Sequence, residues 1–235
     1  MNLVLLLPED LTAPDWARLT GRRLAHVREV HRAAVGDELA VGLLDGKMGR
    51  GRVMRLDEEA LDLDLRLDQV PPPKLPLTLL IAVPRPKVLN RVVAAAASLG
   101  AARIVLLNAW KVEKAYWASP RMRPENLREQ LILGLEQAKD TVLPELRLAR
   151  LFRPFVEDEL PNLLAGGTGL MAHPGTGAVP PKVLAAPVTL AIGPEGGWIE
   201  AEVQSLLSAG LRPLDLGPRI LRTETALAAL VGKLF

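Results

Sequence analysis

Apolar and polar residues alternate in short runs through the first 70 positions of the chain. The segment "ALDLDLRL" (60–67) alternates strictly, which is the period of a strand with one buried face. The segments "ELAVGLLDG" (38–46) and "KMGRGRVMRL" (47–56) are similar runs, and the Asp-Gly pair where they meet is typical of a hairpin turn. With one helical segment expected near residues 14–32, this pattern predicts a small β-barrel or sandwich.

From residue 77 onward the pattern changes to continuous apolar runs that alternate with helical spacing. The run "LTLLIAV" (77–83) is typical of a buried strand, and apolar positions then recur at helical spacing up to Gly100. Such strands joined by helices predict a parallel sheet covered on both faces. Further strands are expected within 103–107, 146–151, 168–173, 187–193 and 212–217, and further helices within 124–142, 156–164, from Glu200 and up to Phe235.

A proline-rich segment, "VPPPKLP" (70–76), lies between these two patterns. Consecutive prolines favour extended geometry and resist both helix and sheet, so the segment is interpreted as a linker. The predicted organisation is a β domain over 1–70, a linker over 71–76 and an α/β domain over 77–235.

Composition removes several classes of protein from consideration. The 235 residues are 49% hydrophobic and 24% charged, which is ordinary for a globular protein. There is no cysteine, so disulfides, thiolate zinc sites and cysteine nucleophiles are excluded. Apolar runs stay well short of the roughly 18–20 residues that cross a bilayer, and the opening residues resemble a strand more than a signal peptide. We therefore expect a cytoplasmic protein without a membrane partner.

The net charge of +2 is unevenly distributed. Between Arg18 and Arg55 there are nine basic and four acidic side chains, and "DEEALDLDLRLD" then reverses the sign. A locally basic region of this kind is typical of a surface that binds a polyanion. Scattered arginine on an ordinary solvated surface explains the same pattern, so charge leaves both interpretations open.

Candidate chemistry lies in three segments that each follow a predicted strand. They are the first loop (171–177, "MAHPGTG"), the glycine turn (192–198, "IGPEGGW") and the third loop (216–226, "LGPRILRTETA"). In a parallel sheet all three emerge at one edge and could wall a single pocket. The chain has neither a Walker loop nor a dinucleotide fingerprint, and Glu195 in the glycine turn disfavours phosphate. Such a turn suits adenine, ribose and a cationic group, although an ordinary tight turn with a surface acid is the simpler alternative.

Polar residues of the third loop strengthen the functional interpretation. Arg219 and Arg222 precede a predicted helix, where a guanidinium could hold a phosphate or stabilise an anionic reacting atom. His173 follows a strand and could act as a general base, but a single His beside Pro is more often merely solvated. No His, Asp and Glu cluster has metal-ligand spacing, so no metal is expected.

Together, the glycine turn and the third loop resemble the RsmE family of 16S rRNA uridine N3-methyltransferases, which belongs to the SPOUT superfamily. The segment "HVREVHRAAVGDELAVGLLDG" is similar to the N-terminal PUA-like barrel of that family, and "LEQA" is similar to its "EQ" helix. The resemblance implies an α/β fold with a SPOUT-type parallel sheet and a deep trefoil knot after a small PUA-like β-barrel. It also implies a homodimer. The chain departs from the family pattern at Trp198-Ile199, where a Ser or Thr helix cap is usual.

The resemblance further implies that S-adenosylmethionine is the cofactor and that it binds at the three loops. The implied contact residues are Met171, Ala172, His173, Ile192, Gly193, Pro194, Glu195, Gly196, Gly197, Leu216, Gly217, Ile220, Leu221, Arg222 and Thr225.

The implied reaction is methylation of N3 of a uridine in 16S rRNA of the small ribosomal subunit, with uridine 1498 as the family target. Uracil N3 must lose its proton before it attacks, so Arg222 is expected to stabilise the uracil anion and Glu224 or Glu195 to accept the proton. A non-catalytic rRNA-binding or ribosome-assembly protein on the same fold is the alternative. The side chains expected to bind rRNA phosphate are Arg18, Arg22, Arg23, Arg28 and Arg32.

Overall fold

The computed structural model describes residues 2–178 and 187–235 of the chain. The chain divides into two compact units. The first unit runs up to Pro73 and also contains Ile132–Leu143, whereas the second contains Lys74–Leu131 and Pro144–Phe235. Residues 132–143 fall inside the predicted 77–235 domain in sequence, yet they cluster with the first unit in space.

A curled sheet dominates the first unit. Its described strands follow the order β1-β4-β5-β6-β3-β2, and every neighbouring pair is antiparallel except the parallel pair β1 and β4. The strands are β1 (Val4–Leu6), β2 (Leu11–Ala13), β3 (Trp16–Leu19), β4 (Glu38–Leu43), β5 (Met48–Leu56) and β6 (Leu61–Gln69).

The strict alternation in residues 60–67 is confirmed as a half-buried strand. Leu61, Leu63 and Leu65 of β6 point into the core of the unit, while the intervening charged residues face outward. The expected hairpin between β4 and β5 also forms, with Asp45 at φ 56° in the turn. Asp and Asn tolerate this left-handed conformation better than most residues because their short polar side chains bond locally.

The helix expected near 14–32 is wrong at its start. Residues 16–19 form β3, which pairs with β6 and alternates exposed with buried side chains. Helix α1 (Gly21–His26) begins only at Gly21, whose φ of 60° turns the chain out of the strand, and a π-helical turn over Val27–His31 extends it. A four-residue strand is too short for its period to compete with the helical spacing that follows it.

A second sheet forms the centre of the second unit. Within its described residues, six parallel strands follow the order β12-β10-β11-β7-β8-β9. The strands are β7 (Leu75–Ala82), β8 (Ala101–Leu107), β9 (Glu145–Ala149), β10 (Thr168–Ala172), β11 (Val188–Ile192) and β12 (Arg212–Leu214). The helices are α2 (Pro86–Ser98), α3 (Lys114–Trp117), α4 (Pro124–Ala138), α5 (Phe152–Pro154), α6 (Leu160–Leu164), α7 (Glu200–Ser208) and α8 (Thr223–Leu234).

The predicted parallel sheet is therefore confirmed, and its strands are buried as continuous apolar runs should be. Every residue of β11 is buried, as are the last four residues of β7. β7 begins at Leu75, inside the segment expected to be a linker, and its pairing with β8 shifts register between Leu75 and Thr78. Pro76 lies in that shift and has no N–H to donate, so the strand tolerates it there. The trefoil knot implied by the resemblance stays a prediction.

Candidate functional site

The first loop, the glycine turn and the third loop meet at one edge of the parallel sheet. They follow β10, β11 and β12, which are neighbours in the sheet and run in the same direction. Together they wall a cavity of about 380 Å³, here called the loop cavity. Its lining consists of Ala172, His173, Pro174, Ile192, Gly193, Pro194, Glu195, Gly196, Gly197, Trp198, Ile220, Leu221, Arg222, Thr223 and Ala226.

The glycine turn forms one wall of the loop cavity and is held in place by its own hydrogen bonds and by a lysine. Gly197 has φ 70° and donates its N–H to the Pro194 carbonyl at 2.8 Å. The Lys111 ammonium donates to the Gly196 carbonyl at 2.6 Å. A Cβ at Gly196 would lie 2.8 Å from Lys111 Cδ, so a larger residue at this position would displace the lysine side chain.

Glu195, the acid of the glycine turn, bonds to the start of a neighbouring helix. Its Oε1 accepts the Arg85 N–H at 3.0 Å, and Arg85 is the residue that immediately precedes α2. An acidic group is stabilised at a helix N-terminus because the partial charge there is positive. Glu195 therefore fixes the turn against α2 while lining the loop cavity.

Asp215 connects the first and third loops, and the sequence analysis missed it. Its Oδ2 accepts the N–H groups of Gly175 and Gly177 at 2.9 and 3.1 Å, and its Oδ1 accepts that of Gly217 at 2.8 Å. These backbone hydrogen bonds, first from Gly217 and then from Gly177, hold the pKa of Asp215 below its usual range. The signal in the sequence was the Asp-x-Gly spacing of 215–217, which is typical of an Asx turn.

Glu202 provides the carboxylate half of a capping box at the start of α7, where Ile199 has no side chain that could act as a cap. It is buried on the first turn of α7, and its Oε2 accepts the Ile199 N–H at 3.0 Å. Its Oε1 accepts the Trp110 N–H at 2.7 Å, which joins α7 to the loop after β8. One buried carboxylate thus accepts two backbone N–H groups and fixes the start of α7 to the loop after β8.

Trp198 forms the buried side of the glycine turn. A Cβ at Gly193 would lie 3.1 Å from Trp198 Nε1, so the indole packs against bare backbone. Its ring lies 6.0 Å from the Phe152 ring, and within the described residues its N–H has no hydrogen-bond partner. The loop cavity therefore has an aromatic wall.

A model of the RNA methyltransferase domain matches residues 71–234 of the chain. The ribosomal RNA small subunit methyltransferase E of Treponema pallidum is 31% identical over 240 residues, which cover 97% of this chain and 88% of that protein. This chain belongs to the ribosomal RNA small subunit methyltransferase E family. The family and the enzyme class expected from the resemblance are confirmed.

Other members of the ribosomal RNA small subunit methyltransferase E family support the same assignment. The Synechocystis protein of that name is 29% identical over 221 residues, covering 88% of this chain and 69% of the relative. The crystal structure of the Neisseria gonorrhoeae family member, which is bound to S-adenosyl methionine, matches with a TM-score of 0.77 and 23% identity over 99% of this chain and 95% of that one. The likeness confirms the expected fold class, an α/β domain with a parallel sheet beside a curled N-terminal sheet.

Most of the cofactor contacts expected for this methyltransferase line the loop cavity, and the exceptions have simple causes. Met171 is buried within β10, and Thr225 is exposed on α8. Leu216 lines a smaller adjoining cavity of about 60 Å³, and Gly217 lies beside it as the donor to Asp215. Lining residues that the sequence analysis did not select are Pro174, Trp198, Thr223 and Ala226.

The three expected catalytic side chains occupy different positions around the loop cavity. Arg222 is exposed, lines the cavity and immediately precedes α8. Glu195 also lines the cavity, as described above. Glu224 lies on the first turn of α8 outside the lining, where its Oε1 is 3.3 Å from Arg91 of α2.

The arginines expected to bind rRNA differ in how strongly they are held inside the first unit. Arg18 pairs with Asp62 at 2.6 Å, Arg22 pairs with the buried Glu136 at 3.0 Å, and Arg23 bonds to Asp10 and to the Leu5 carbonyl. Arg28 is 3.7 Å from the exposed Glu58. Arg28 and Arg32 line a shallow depression on this unit.

Across residues 2–178 and 187–235, no cluster of three or more His, Asp or Glu side chains could hold a metal ion. In the same part of the chain, no helix is long and apolar enough to cross a membrane.

Proposed function

We propose that this chain transfers the methyl group of S-adenosylmethionine to N3 of a uridine in 16S rRNA, with uridine 1498 as the target. The observation that carries the proposal is the loop cavity, which a member of an RNA methyltransferase family forms at the carboxyl ends of three parallel strands. Ligands of open α/β sheets bind at that edge.

The residues around the loop cavity fit the proposed cofactor. Its volume of about 380 Å³ falls in the usual range for small-ligand sites. Ile192, Leu221 and Ala226 offer apolar surface to an adenine ring, and the glycine turn offers backbone groups to the ribose. The carboxylate of Glu195 is the acid of the lining and complements a cation. When bound, the cofactor supplies a methyl group on a positively charged sulfur.

Arg222 is proposed to stabilise the uracil anion. Its guanidinium is a planar cation with several N–H donors, and its place at the start of α8 adds the positive end of the helix dipole. Preorganised positive charge at the position where negative charge develops is commonly the largest single contribution to catalysis. Arg222 therefore lowers the free energy of the state in which N3 has lost its proton.

Glu195 is the better placed of the two candidate proton acceptors. It lines the loop cavity, whereas Glu224 does not. The ion pair between Glu224 and Arg91 joins α8 to α2, so we assign Glu224 a positioning role at the first turn of α8. A proton acceptor must come within hydrogen-bond reach of the substrate, and this requirement favours Glu195.

The residues that contact rRNA and the oligomeric state of the protein are part of the same proposal. Arg28 and Arg32, which line the shallow depression of the first unit, are the arginines best placed to meet phosphate. This unit, predicted as a PUA-like domain over residues 1–70, would then position the substrate. A homodimer, which the resemblance to the family implies, is part of the proposal, and the exposed Ile220 of the third loop is a candidate contact with the second copy.

The test is methyl transfer to 16S rRNA in small subunits from a strain that lacks this protein. We expect one N3-methyluridine per subunit, located at position 1498 by mass spectrometry of nuclease fragments. Methylation of another nucleotide would overturn the target. Tight rRNA binding without any methyl transfer would instead support the non-catalytic alternative.

A further inference from the structure

A second cavity lies at the same edge of the parallel sheet, beyond the loop cavity. It has a volume of about 750 Å³ and is formed by the residues that follow β8 and β9 together with the start of α7. It is called here the tryptophan cavity. Its aromatic, basic and amide side chains include Asn108, Trp110, Lys114, Trp117, Arg150 and Phe152.

Trp110 is a large apolar ring presented to solvent on a fixed backbone. Its side chain leaves 79% of its surface exposed, although both Ala109 and Val112 beside it are buried. The buried carboxylate of Glu202 accepts the Trp110 N–H at 2.7 Å, and Val112 N–H closes the turn on the Ala109 carbonyl at 3.0 Å. An exposed tryptophan on such an anchored turn is preorganised to receive a flat ligand.

The other side of the tryptophan cavity is polar and positively charged. The Arg150 guanidinium lies 5.1 Å from the centre of the Trp117 ring, and Trp117 donates its indole N–H to Asn108 at 2.8 Å. Lys114 adds a further positive charge to the lining, whereas Arg153, which also lines the cavity, pairs with Glu157 at 2.7 Å. Among the described residues, the lining contains three basic side chains against one carboxylate, that of Glu202, so its net charge is positive.

An accessible aromatic face beside cations is the arrangement with which proteins bind single-stranded nucleic acid. Bases stack on aromatic rings without sequence preference, and basic groups follow the backbone. An anionic protein partner would match the cations but would leave the tryptophan face without a specific role. The combination therefore favours RNA over an acidic peptide.

The tryptophan cavity adjoins the loop cavity through one aromatic contact. Phe152 lines the tryptophan cavity, Trp198 lines the loop cavity, and their ring centres are 6.0 Å apart. An RNA strand whose target base enters the loop cavity would thus have its neighbouring nucleotides beside Trp110. Sequence-specific RNA enzymes act on unstacked, single-stranded bases, and such neighbours need a surface on which to stack.

We propose that the tryptophan cavity binds the nucleotides that flank the target uridine, with one base stacked on Trp110 and the adjacent phosphates near Lys114 and Arg150. This inference rests on the proposed function because it assigns the flanking nucleotides to the same rRNA substrate. Trp110 contributes binding and not chemistry.

The first test measures the affinity of the complete protein for a fluorescent oligouridylate of about eight nucleotides, a length within the range of single-strand binding sites. Because a stacked base contributes substantially to binding, W110A is expected to weaken affinity about 5- to 100-fold. W110F keeps a flat ring and is expected to restore most of that affinity. R150A should weaken binding and reduce its salt dependence. The matched control is R212A, since Arg212 is an exposed arginine at the opposite, amino end of β12.

The second test separates this inference from the proposed function. With small subunits as substrate, W110A should raise KM and leave kcat and the affinity for S-adenosylhomocysteine unchanged, because a flanking contact binds ground state and transition state alike. Wild-type affinity and wild-type KM in W110A would overturn the inference while leaving the proposed function intact. If the wild type transfers no methyl group but W110A still loses oligouridylate affinity, the proposed function fails and the binding surface stands.

A measurement of molar mass by light scattering addresses the other occupant of this surface. If W110A loses RNA affinity only in step with a change from dimer to monomer, the tryptophan cavity is a contact between two copies of the chain and the inference is overturned. We expect W110A and the wild type to have the same mass.

Discussion

The loop cavity of the second unit and the arginine-rich segment of the first unit use charged residues in opposite ways. Arg222 is exposed on the lining of the loop cavity, and in the loops around it the carboxylates of Glu195, Asp215 and Glu202 accept backbone N–H groups. In the first unit, Arg18, Arg22 and Arg23 extend toward carboxylates of the same unit. One region uses acids to shape loops and leaves a cation at the surface, whereas the other uses cations to neutralise acids.

The difference teaches that a basic stretch of sequence does not by itself define a polyanion site. Arg22 reaches Glu136, which lies 114 positions away in sequence and is 1% exposed. Such a pairing is invisible to a count of local charge. The contrast predicts a catalytic defect from substitution of Arg222 and a folding defect from substitution of Arg22, which is paired with a buried carboxylate.

The largest effect is expected from R222A. Removal of one preorganised group that stabilises developing charge lowers kcat by about 10²- to 10³-fold. The affinity for S-adenosylhomocysteine should stay near the wild-type value because most of the cavity lining is backbone and apolar surface. Single-turnover methylation of small subunits measures the rate, and isothermal titration measures the affinity. R219A, in the same loop, is the control, and an equal loss of rate in both variants would contradict a specific role for Arg222.

The next largest effect is expected from R22A, and it concerns folding. Removal of the Arg22 guanidinium leaves the carboxylate of Glu136 buried without this cationic partner. Such a loss costs about 1–3 kcal/mol of unfolding free energy. R18A removes a partner from a more exposed pair and should cost about 1 kcal/mol or less. Chemical denaturation of both variants measures the difference. Equal stabilities would show that the buried position of Glu136 does not distinguish the two pairs.

The pH dependence of R22A provides a sharper form of the same test. Burial raises the pKa of Glu136 and Arg22 opposes that rise, so the pKa in the variant should rise further. A carboxyl with a raised pKa contributes stability that is fully present below its unfolded pKa, about 4.3, and is lost as the pH rises through the folded value. R22A should therefore be closest to the wild type near pH 4 and furthest from it at neutral pH. A constant difference across that range would exclude Glu136 as the cause.

Much of the loop cavity could be predicted from sequence because topology determines it. Continuous apolar strands predict a parallel sheet, and a parallel sheet brings its carboxyl ends to one edge. The first loop, the glycine turn and the third loop could thus be expected to meet before any contact was known. Arg222 and Glu195 were found in this way, as was His173.

The residues that hold the loops were not predictable in the same way. Asp215, Glu202 and Lys111 bond to backbone groups on other loops, and apart from the local Asp-x-Gly spacing at 215–217 the sequence contains no period or spacing that indicates their partners. The early strand over Trp16–Leu19 was missed for a related reason, since its pairing with β6 decides its conformation. Local patterns predict elements, whereas contacts distant in sequence decide which polar side chain supports which loop.

A smaller effect is expected from D215N, which tests one of these supports. An amide oxygen accepts fewer and weaker hydrogen bonds than a carboxylate, so the first and third loops should be less well fixed and the affinity for S-adenosylhomocysteine should fall about tenfold. In the wild type, backbone hydrogen bonds lower the pKa of Asp215. The stabilisation is therefore present above the unfolded pKa of about 3.9 and is lost as the pH falls through the lowered value. Unchanged affinity in D215N would assign no role in binding to this carboxylate.

The smallest effect is expected from R28A and R32A, the arginines of the first unit that line the shallow depression. Each phosphate contact that is lost should reduce the slope of log affinity against log salt concentration by about 0.7 for single-stranded RNA, without altering stability by more than about 0.5 kcal/mol. R22A is the matched comparison, since it should lower stability and leave the salt slope unchanged in protein that remains folded. Filter binding of 16S rRNA at several salt concentrations measures the slopes. If R22A lowers the slope as much as R28A does, the distinction between structural and substrate-binding arginines in this unit is wrong.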